Sequence, residues 1–379
     1  MIKLKILRPL AGSVLLAGGL AATAGAALTP SEPRFEVQQR WDVGGNVSGN
    51  DGLWDYLTLD ASGQRLFVSR WSRVDVIDTT SGSVIGAIHN TLGVHGIALA
   101  PDLKRGFTSN GKADSVTVFD LQTLAVIQEV KITGHNPDAI LYEPAGNHVF
   151  TFNKTSKNIS VLDASKLSVT ATIPTPGWPE FAVDDGAGRI YVNIQNDPGQ
   201  MLVINSRKLT SEAIWTLPGC SDPSGLAIDR TSHRLFSVCD GKVMAITDAL
   251  TGKQVARVPI GDGPDAAAYD AKRRLVFSSN GDGSLTVVRQ LSADRYEVEA
   301  TVPTQRGART MALDPASGKV YLVTAEFGPA PSPTPEHPHP SAAPGKAELL
   351  SVGAQTAVPF YLLVVGMGGS ITHQSATTP

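Results

Sequence analysis

The chain carries only two cysteines, Cys220 and Cys239, in 379 residues. That excludes a disulfide framework and leaves room for a single bridge. No C-x-x-C-H occurs, which argues against a haem attached covalently to this chain. Basic clusters are missing too: the formal net charge is −3, and −6 once Lys3, Lys5 and Arg8 are set aside. A mildly acidic chain is poorly equipped to neutralise phosphates, so nucleic acid is not an expected partner. The apolar run Leu10–Ala22 is short and loosened by Gly and Ala, too short for a membrane span of about 20 residues. No nucleophile elbow, P-loop, H-E-x-x-H or EF-hand loop is present, so no ready-made catalytic motif presents itself.

What is there begins at the N-terminus. Three cationic residues precede the apolar stretch, and the small-residue run Ala24-Gly25-Ala26-Ala27 follows it. This order is that of a secretory signal peptide over 1–26, predicting a periplasmic or secreted protein. The 37 glycines and 25 prolines point to many turns and little helix.

A repeat organises the rest. Seven segments share a short apolar run that starts polar and usually ends acidic. Their first residues are Asp55, His95, Asp138, Glu180, Ser224, Asp265 and Arg309, standing 40 to 44 positions apart. That period is the spacing of four-stranded propeller blades. Each copy continues into β-rich runs such as Arg65–Ser69, Val149–Phe152 and Leu275–Ser278, then Val74–Asp78, Ser115–Asp120 and Ile159–Asp163. Their β-branched and aromatic residues, bounded by Gly, Asp, Asn and Pro, are what strands require. The Asp that closes the third strand reads as a turn residue bonding nearby backbone N–H groups. The last copy lacks strands after Lys319–Val323; Phe360–Val365 is expected to supply its third and Phe35–Val43 its fourth. The expectation is an all-β, seven-bladed propeller over 35–366, its last blade closed by the N-terminal strand, which removes an exposed edge. Residues 328–348 form a Pro-rich insert loop in that blade, and 367–379 a disordered tail.

These segments carry a family resemblance. Phe107-Thr-Ser-Asn110 and Phe277-Ser-Ser-Asn280, with the trailing Val-x-Val-x-Asp strand, resemble the signature of the YVTN/YncE-like propeller repeats. Trp54–Leu57, Thr304–Thr310 and Tyr321–Gly328 look like an exported subgroup. The resemblance implies the fold and leaves the function open, because propellers serve as binding platforms, lactonases, lyases and dehydrogenase subunits.

Aligning the copies exposes two polar columns. The seven starting residues form a ring around the channel mouth, and Arg70, Asn110, Asn153, Cys239, Asn280 and Thr324 close the second strand on the same face; Asn193 sits one place earlier in the fourth copy. The ligand-binding candidates are Asp55, His95, Asn110, Asp138, Asn153, Glu180, Asp265, Asn280, Arg306 and Arg309, since convergent polar groups in a concave site are what a ligand pocket presents. Against this stands a structural reading, in which the Asn residues shape turns and the acids lock loops. Trp54, Trp178, His135, Asn136, Asp222 and Asp262 lie in loops of the same face. Cys220 and Cys239 map to one face of one blade, where a bridge is expected, with two free thiols or a reactive pair as alternatives. His337 and His339 fall in an extended Pro-rich stretch.

The expected function is a non-enzymatic exported scaffold that engages a small molecule or an exported protein at the mouth, with no resident cofactor. The alternative is a metal-dependent lactonase or lyase holding a divalent cation such as calcium. Glu180, Asp138, Asp265 and the Asn column would supply its ligands, with His95 as general base.

Overall fold

The computed structural model describes residues 35–44, 54–326 and 360–368. The signal segment, the Pro-rich insert with His337 and His339, and the tail beyond residue 368 lie outside them. Every described element is a strand or a turn.

The first strand, β1 (Phe35–Asp42), is taken up below. β2 (Leu57–Leu59), β3 (Arg65–Asp78), β4 (Val84–Ala100), β5 (Arg105–Asn110), β6 (Ser115–Asp120) and β7 (Val126–Lys131) form one six-membered sheet in chain order. Three four-stranded sheets follow. They comprise β8 (Pro137–Glu143), β9 (His148–Asn153), β10 (Asn158–Asp163) and β11 (Ser168–Pro174); β12 (Trp178–Asp184), β13 (Arg189–Gln195), β14 (Gly199–Asn205) and β15 (Thr210–Leu217); and β16 (Ser221–Asp229), β17 (Arg234–Asp240), β18 (Val243–Asp248) and β19 (Gln254–Pro259). A fifth four-stranded unit joins β20 (Pro264–Asp270), β21 (Leu275–Asn280), β22 (Ser284–Ser292) and β23 (Arg295–Pro303). The last sheet has the order β1–β26–β25–β24, with β24 (Met311–Leu313), β25 (Val320–Ala325) and β26 (Phe360–Met367). Phe35 faces Met367 in its register, so the two ends of the chain meet in one sheet. Met367, assigned to the tail by the sequence, belongs to that strand. The architecture is an all-β propeller with four-stranded blades.

Among the described residues, six sheets stand where the repeats predict seven blades. The difference arises in the first two copies, whose four expected runs merge into β3 and β4. Trp71 pairs with Val94 beyond the Arg73–His89 end of the β3–β4 ladder, and this contact stitches the two copies together. Trp71, Asn90 and Gly93 take positive φ at the bends.

Burial follows position within a blade. The middle strands are covered by neighbouring blades on both faces, so β9 and β10 are almost wholly buried while the outer β11 alternates with solvent. This explains why the middle strands read as continuous apolar runs rather than alternating ones. The cores lie between blades: Phe150, Phe152, Ile159, Ile190, Val192 and Leu202 form one such cluster. At the axis the inner strands crowd together. A Cβ on Gly225 would meet the Ala266 Cα at 2.6 Å, which is why small residues follow the starting position in several copies. The predicted turn role of the third-strand Asp is seen directly. Asp78, Asp120, Asp163 and Asp248 each accept hydrogen bonds from the backbone N–H groups two and three residues on.

Candidate functional site: a charged ring at the channel mouth

The inner strands deliver their starting residues to one place. Asp55 stands just before β2, His95 lies in β4, Asp138 in β8, Glu180 in β12, Asp265 in β20, and Arg309 just before β24. The ring is held from behind. The Ser69 hydroxyl accepts the Asp55 backbone N–H at 2.9 Å. The hydroxyls of Ser109 and Ser279 donate short hydrogen bonds to the carbonyls of Asp138 and Arg309 in the next copy. Asn193 Nδ2 does the same for Ser224, at 2.9 Å.

Within the ring, charges alternate. His95 Nδ1 lies 2.6 Å from Asp55 Oδ2 and 3.7 Å from Asp138 Oδ1. Lys154, on the turn after β9, reaches Asp138 Oδ2 at 3.5 Å and Glu180 Oε2 at 2.8 Å. Across the channel, Arg309 Nη1 pairs with Asp265 Oδ2 at 3.0 Å. The Asp138 and Glu180 side chains are only 8% and 9% exposed, whereas His95, Lys154 and Arg309 keep 27 to 31%. The carboxylates are therefore sunk beneath cations that reach water. Ser224 drops out of the ring, because its hydroxyl donates to the Pro264 carbonyl at 2.8 Å.

Beside this ring lies an aromatic pair. Tyr56 and Phe181 follow Asp55 and Glu180 in sequence, and their rings meet with centroids 5.5 Å apart. They come from the first and fourth copies, so the contact crosses the channel.

The clustering moves the titrations. Burial raises Glu180 to about 8, with Asp138 adding to the shift and Lys154 opposing it. Asp265 rises to about 6, also through burial, against the pull of Arg309. For His95 burial works against the charge, yet Asp138 and Asp55 overcome it and raise the imidazolium to about 9. Burial likewise pushes Asp55 up, but its hydrogen bond and charge pairing with His95 leave it below the ordinary range. Burial and four carboxylates drive the Tyr56 phenol well above its usual value. His95 is therefore a proton donor at neutral pH, which corrects its expected part as a general base.

The Asn column is placed elsewhere. Asn110, Asn153 and Asn280 are completely buried, and their amides are spent inside the blade. Asn110 Nδ2 donates to Ser115 and Thr117, Asn153 Nδ2 to Asn158 and Ser160, and Asn280 Nδ2 to Ser284 and Thr286. Each side-chain carbonyl accepts from the hydroxyl two residues earlier. These residues clasp the second strand to the third and present nothing to a ligand, correcting their listing as binding candidates. Arg306 sits in the turn before β24, where its carbonyl accepts the Thr324 hydroxyl at 2.8 Å. Trp54 packs on Phe360. Trp178 is 49% exposed, with Lys157 Nζ 5.6 Å from its ring centroid. Cys220 and Cys239 form the single disulfide, Cα–Cα 5.2 Å.

Asp55, His95 and Asp138 bring donor atoms within 4.8 Å of one another, a spacing that a metal ion could bridge. The surroundings do not fit that use. His95 Nδ1 itself stands within reach of both carboxylates, and the Lys154 ammonium stands against Asp138. His95, Lys154 and Arg309 supply the positive charge that a cation would bring, and the amides expected to complete a calcium shell face inward. Lys154, Tyr56 and Phe181 escaped the sequence reading. Tyr56 and Phe181 were legible as the residues after two ring positions; Lys154 lies on a turn whose direction no repeat pattern encodes.

Comparison with known proteins agrees with this architecture. Residues 56–172 match the family model described as "Lactonase, 7-bladed beta-propeller". Antigen Lp49 of Leptospira interrogans is 24% identical over 279 residues, covering 67% of this chain and 60% of that protein. YncE of Salmonella typhi, an uncharacterized protein, is 26% identical over 149 residues, covering 37% of this chain and 41% of its own length. The chain thus spans less than two thirds of either relative. Hydrazine synthase of Kuenenia stuttgartiensis aligns with a TM-score of 0.65 at 19% identity, over 74% of this chain and 94% of the other. U3-55K aligns at 0.64 and 10% identity, over 76% and 92%. At such identities the structural likeness concerns the fold alone. The sequence matches show the resemblance to YVTN/YncE-like propellers that the repeats carry.

Proposed function

We propose that this YncE-like propeller is an exported binding protein that takes a small polar molecule at the charged mouth of its channel, without turning it over. The observation that carries this reading is the convergence of six ring side chains and Lys154 on one site. Their paired charges and backbone supports cost folding energy that a purely structural channel would not require. Seven blades are part of the proposal. The first part of β3 pairs with β2 and its second part with the start of β4, while the end of β4 pairs with β5. That supports two four-stranded blades within the six-membered sheet. Export is supported by the Cys220–Cys239 bridge, which suits an oxidising compartment. No helix among the described residues is long and apolar enough to cross a membrane.

Thermal-shift screening of the mature protein against a panel of small polar compounds, repeated on His95→Gln, Glu180→Gln and Arg309→Gln, tests the site. Ligand shifts unchanged in all three variants would remove the mouth from consideration. A second reading, hydrolysis of a lactone, is favoured by the family-model match, whose span contains His95, Asp138 and Lys154. Turnover of gluconolactone, with and without added calcium, decides between the two.

A further inference from the structure

The ring does not balance. Four carboxylates (Asp55, Asp138, Glu180, Asp265) face three cations (His95, Lys154, Arg309), which leaves one negative charge in excess when all are ionised. The excess is not spread evenly. Asp55 has His95 and Asp265 has Arg309, while Asp138 and Glu180 share Lys154, with His95 farther from Asp138 at 3.7 Å. Next to this deficit lies the Tyr56–Phe181 pair, whose ring faces attract positive charge. Burial holds the protons of Tyr56, Glu180 and Asp265 more firmly than usual, with Asp138 adding to all three, and the carboxylates do the same for His95 and Arg309.

From the charge count and the aromatic pair we infer that the ligand of the mouth is an organic ammonium group, held between Asp138, Glu180 and Asp265 and resting on Tyr56 and Phe181. This rests on the mouth being a binding site. An ammonium suits the place better than a metal ion, because it donates hydrogen bonds to carboxylates without displacing the His95 proton. It also explains why Glu180 is protonated at neutral pH: the charge deficit is met by a proton until a cation arrives. Asp138, Lys154 and Asp265 shift Glu180 directly, and the charges of His95 and Arg309 and the neutral Tyr56 phenol complete its titratable surroundings. Cation binding therefore expels the Glu180 proton, whereas an anion would recruit one. The sign of the linked proton identifies the class of ligand.

The experiment is isothermal titration of the full mature protein at pH 7.5 in two buffers of different ionisation heat. The probes are n-butylammonium, a short peptide bearing one lysine, acetate and gluconolactone. The expected result is binding of an ammonium probe with proton release. Glu180→Gln should bind at least tenfold more weakly and release no proton, while Arg309→Gln, which frees Asp265 of its cation, should bind an ammonium more tightly than wild type. The butylammonium and peptide arms separate a free amine from a lysine side chain. Unchanged denaturation midpoints, or rescue by Glu180→Asp, separate lost binding from lost folding. Acetate binding with proton uptake, abolished in Arg309→Gln, or gluconolactone binding without proton linkage, would overturn the ammonium and keep the mouth. Absence of binding by every probe, or binding that survives both substitutions, would overturn both.

Discussion

Replacing Glu180 by Gln should flatten the pH dependence of stability, and the structure sets the size of the effect. The carboxyl titrates at about 8 in the folded protein, against roughly 4.3 in an unfolded chain. Its folded value is raised, so its contribution is complete below the unfolded value and is lost as pH climbs through 8. At about 1.4 kcal/mol per unit the full loss approaches ~5 kcal/mol. Asp138, Lys154 and Asp265 act on Glu180 electrostatically, so that figure is an upper bound. Less than half of it, about 2 kcal/mol, is the working expectation between pH 5.5 and 8.5. His95, raised to about 9, loses stability in the same direction between about 6.5 and 9, and the larger part of its shift comes from Asp138 and Asp55, which both proteins keep. The difference between wild type and Glu180→Gln is therefore dominated by the carboxyl. Guanidinium denaturation at pH 5.5, 7 and 8.5 is the assay, and wild type should fall more steeply than the variant by about 2 kcal/mol. Equal slopes in the two proteins would refute the burial of an ionisable Glu180 at the mouth.

Three further outcomes follow from the same geometry. Lys154→Met leaves Asp138 and Glu180 facing each other without their ammonium, and should cost about 3 kcal/mol at pH 8 but much less at pH 5. Lys154→Arg should restore most of it, both read from denaturation midpoints. Asn280→Ala strands the buried Ser278 hydroxyl and removes the bonds to Ser284 and Thr286, and should cost about 2 to 3 kcal/mol in denaturation, with ligand affinity at the mouth unchanged. Removing the bridge with Cys220→Ser and Cys239→Ser should lower stability by about 3 kcal/mol, and thiol titration of denatured, unreduced wild type should find no free cysteine.

The fold was legible because a propeller repeats its own arithmetic. One strand pattern recurring at a fixed period places each starting residue at the axis, whatever its identity. The disulfide was legible for the same reason, since both cysteines fall on one face of one copy. The merging of the first two copies was not, because it depends on a single pairing, Trp71 with Val94, across turns with no distinctive residue. The columns misled where chemistry depends on which way a side chain turns. Asn110, Asn153 and Asn280 occupy the same face as the ring, yet their amides find partners in their own blade, two, five and seven residues away for the first two and two, four and six away for Asn280. A column of identical polar residues can mean a shared ligand or a shared local bond, and only the second needs hydroxyls at fixed offsets. Those hydroxyls, Thr108, Thr117, Thr151 and Ser160, were visible in the sequence and could have decided the matter.

The departures from the Asn column show what the mouth demands of its blades. Where Asn is absent, another clamp occupies the top of the second strand. Arg70 pairs with Asp75 at 3.3 Å and lies 3.8 Å from the centre of the Phe360 ring. Asn193 reaches across to the Ser224 and Gly225 carbonyls, and Thr324 donates to the Arg306 carbonyl. In the fifth copy Cys239 is bonded covalently to Cys220. That copy has no charged ring residue whose ion pair could hold its strand in place, and it is the one that carries the covalent link. Charges held within a few ångströms of one another repel or attract strongly enough to move loose backbone, so a ring of this kind requires anchored strand ends. The clamps and the ring belong together: stiffness at the blade tops lets four carboxylates and three cations keep their spacing.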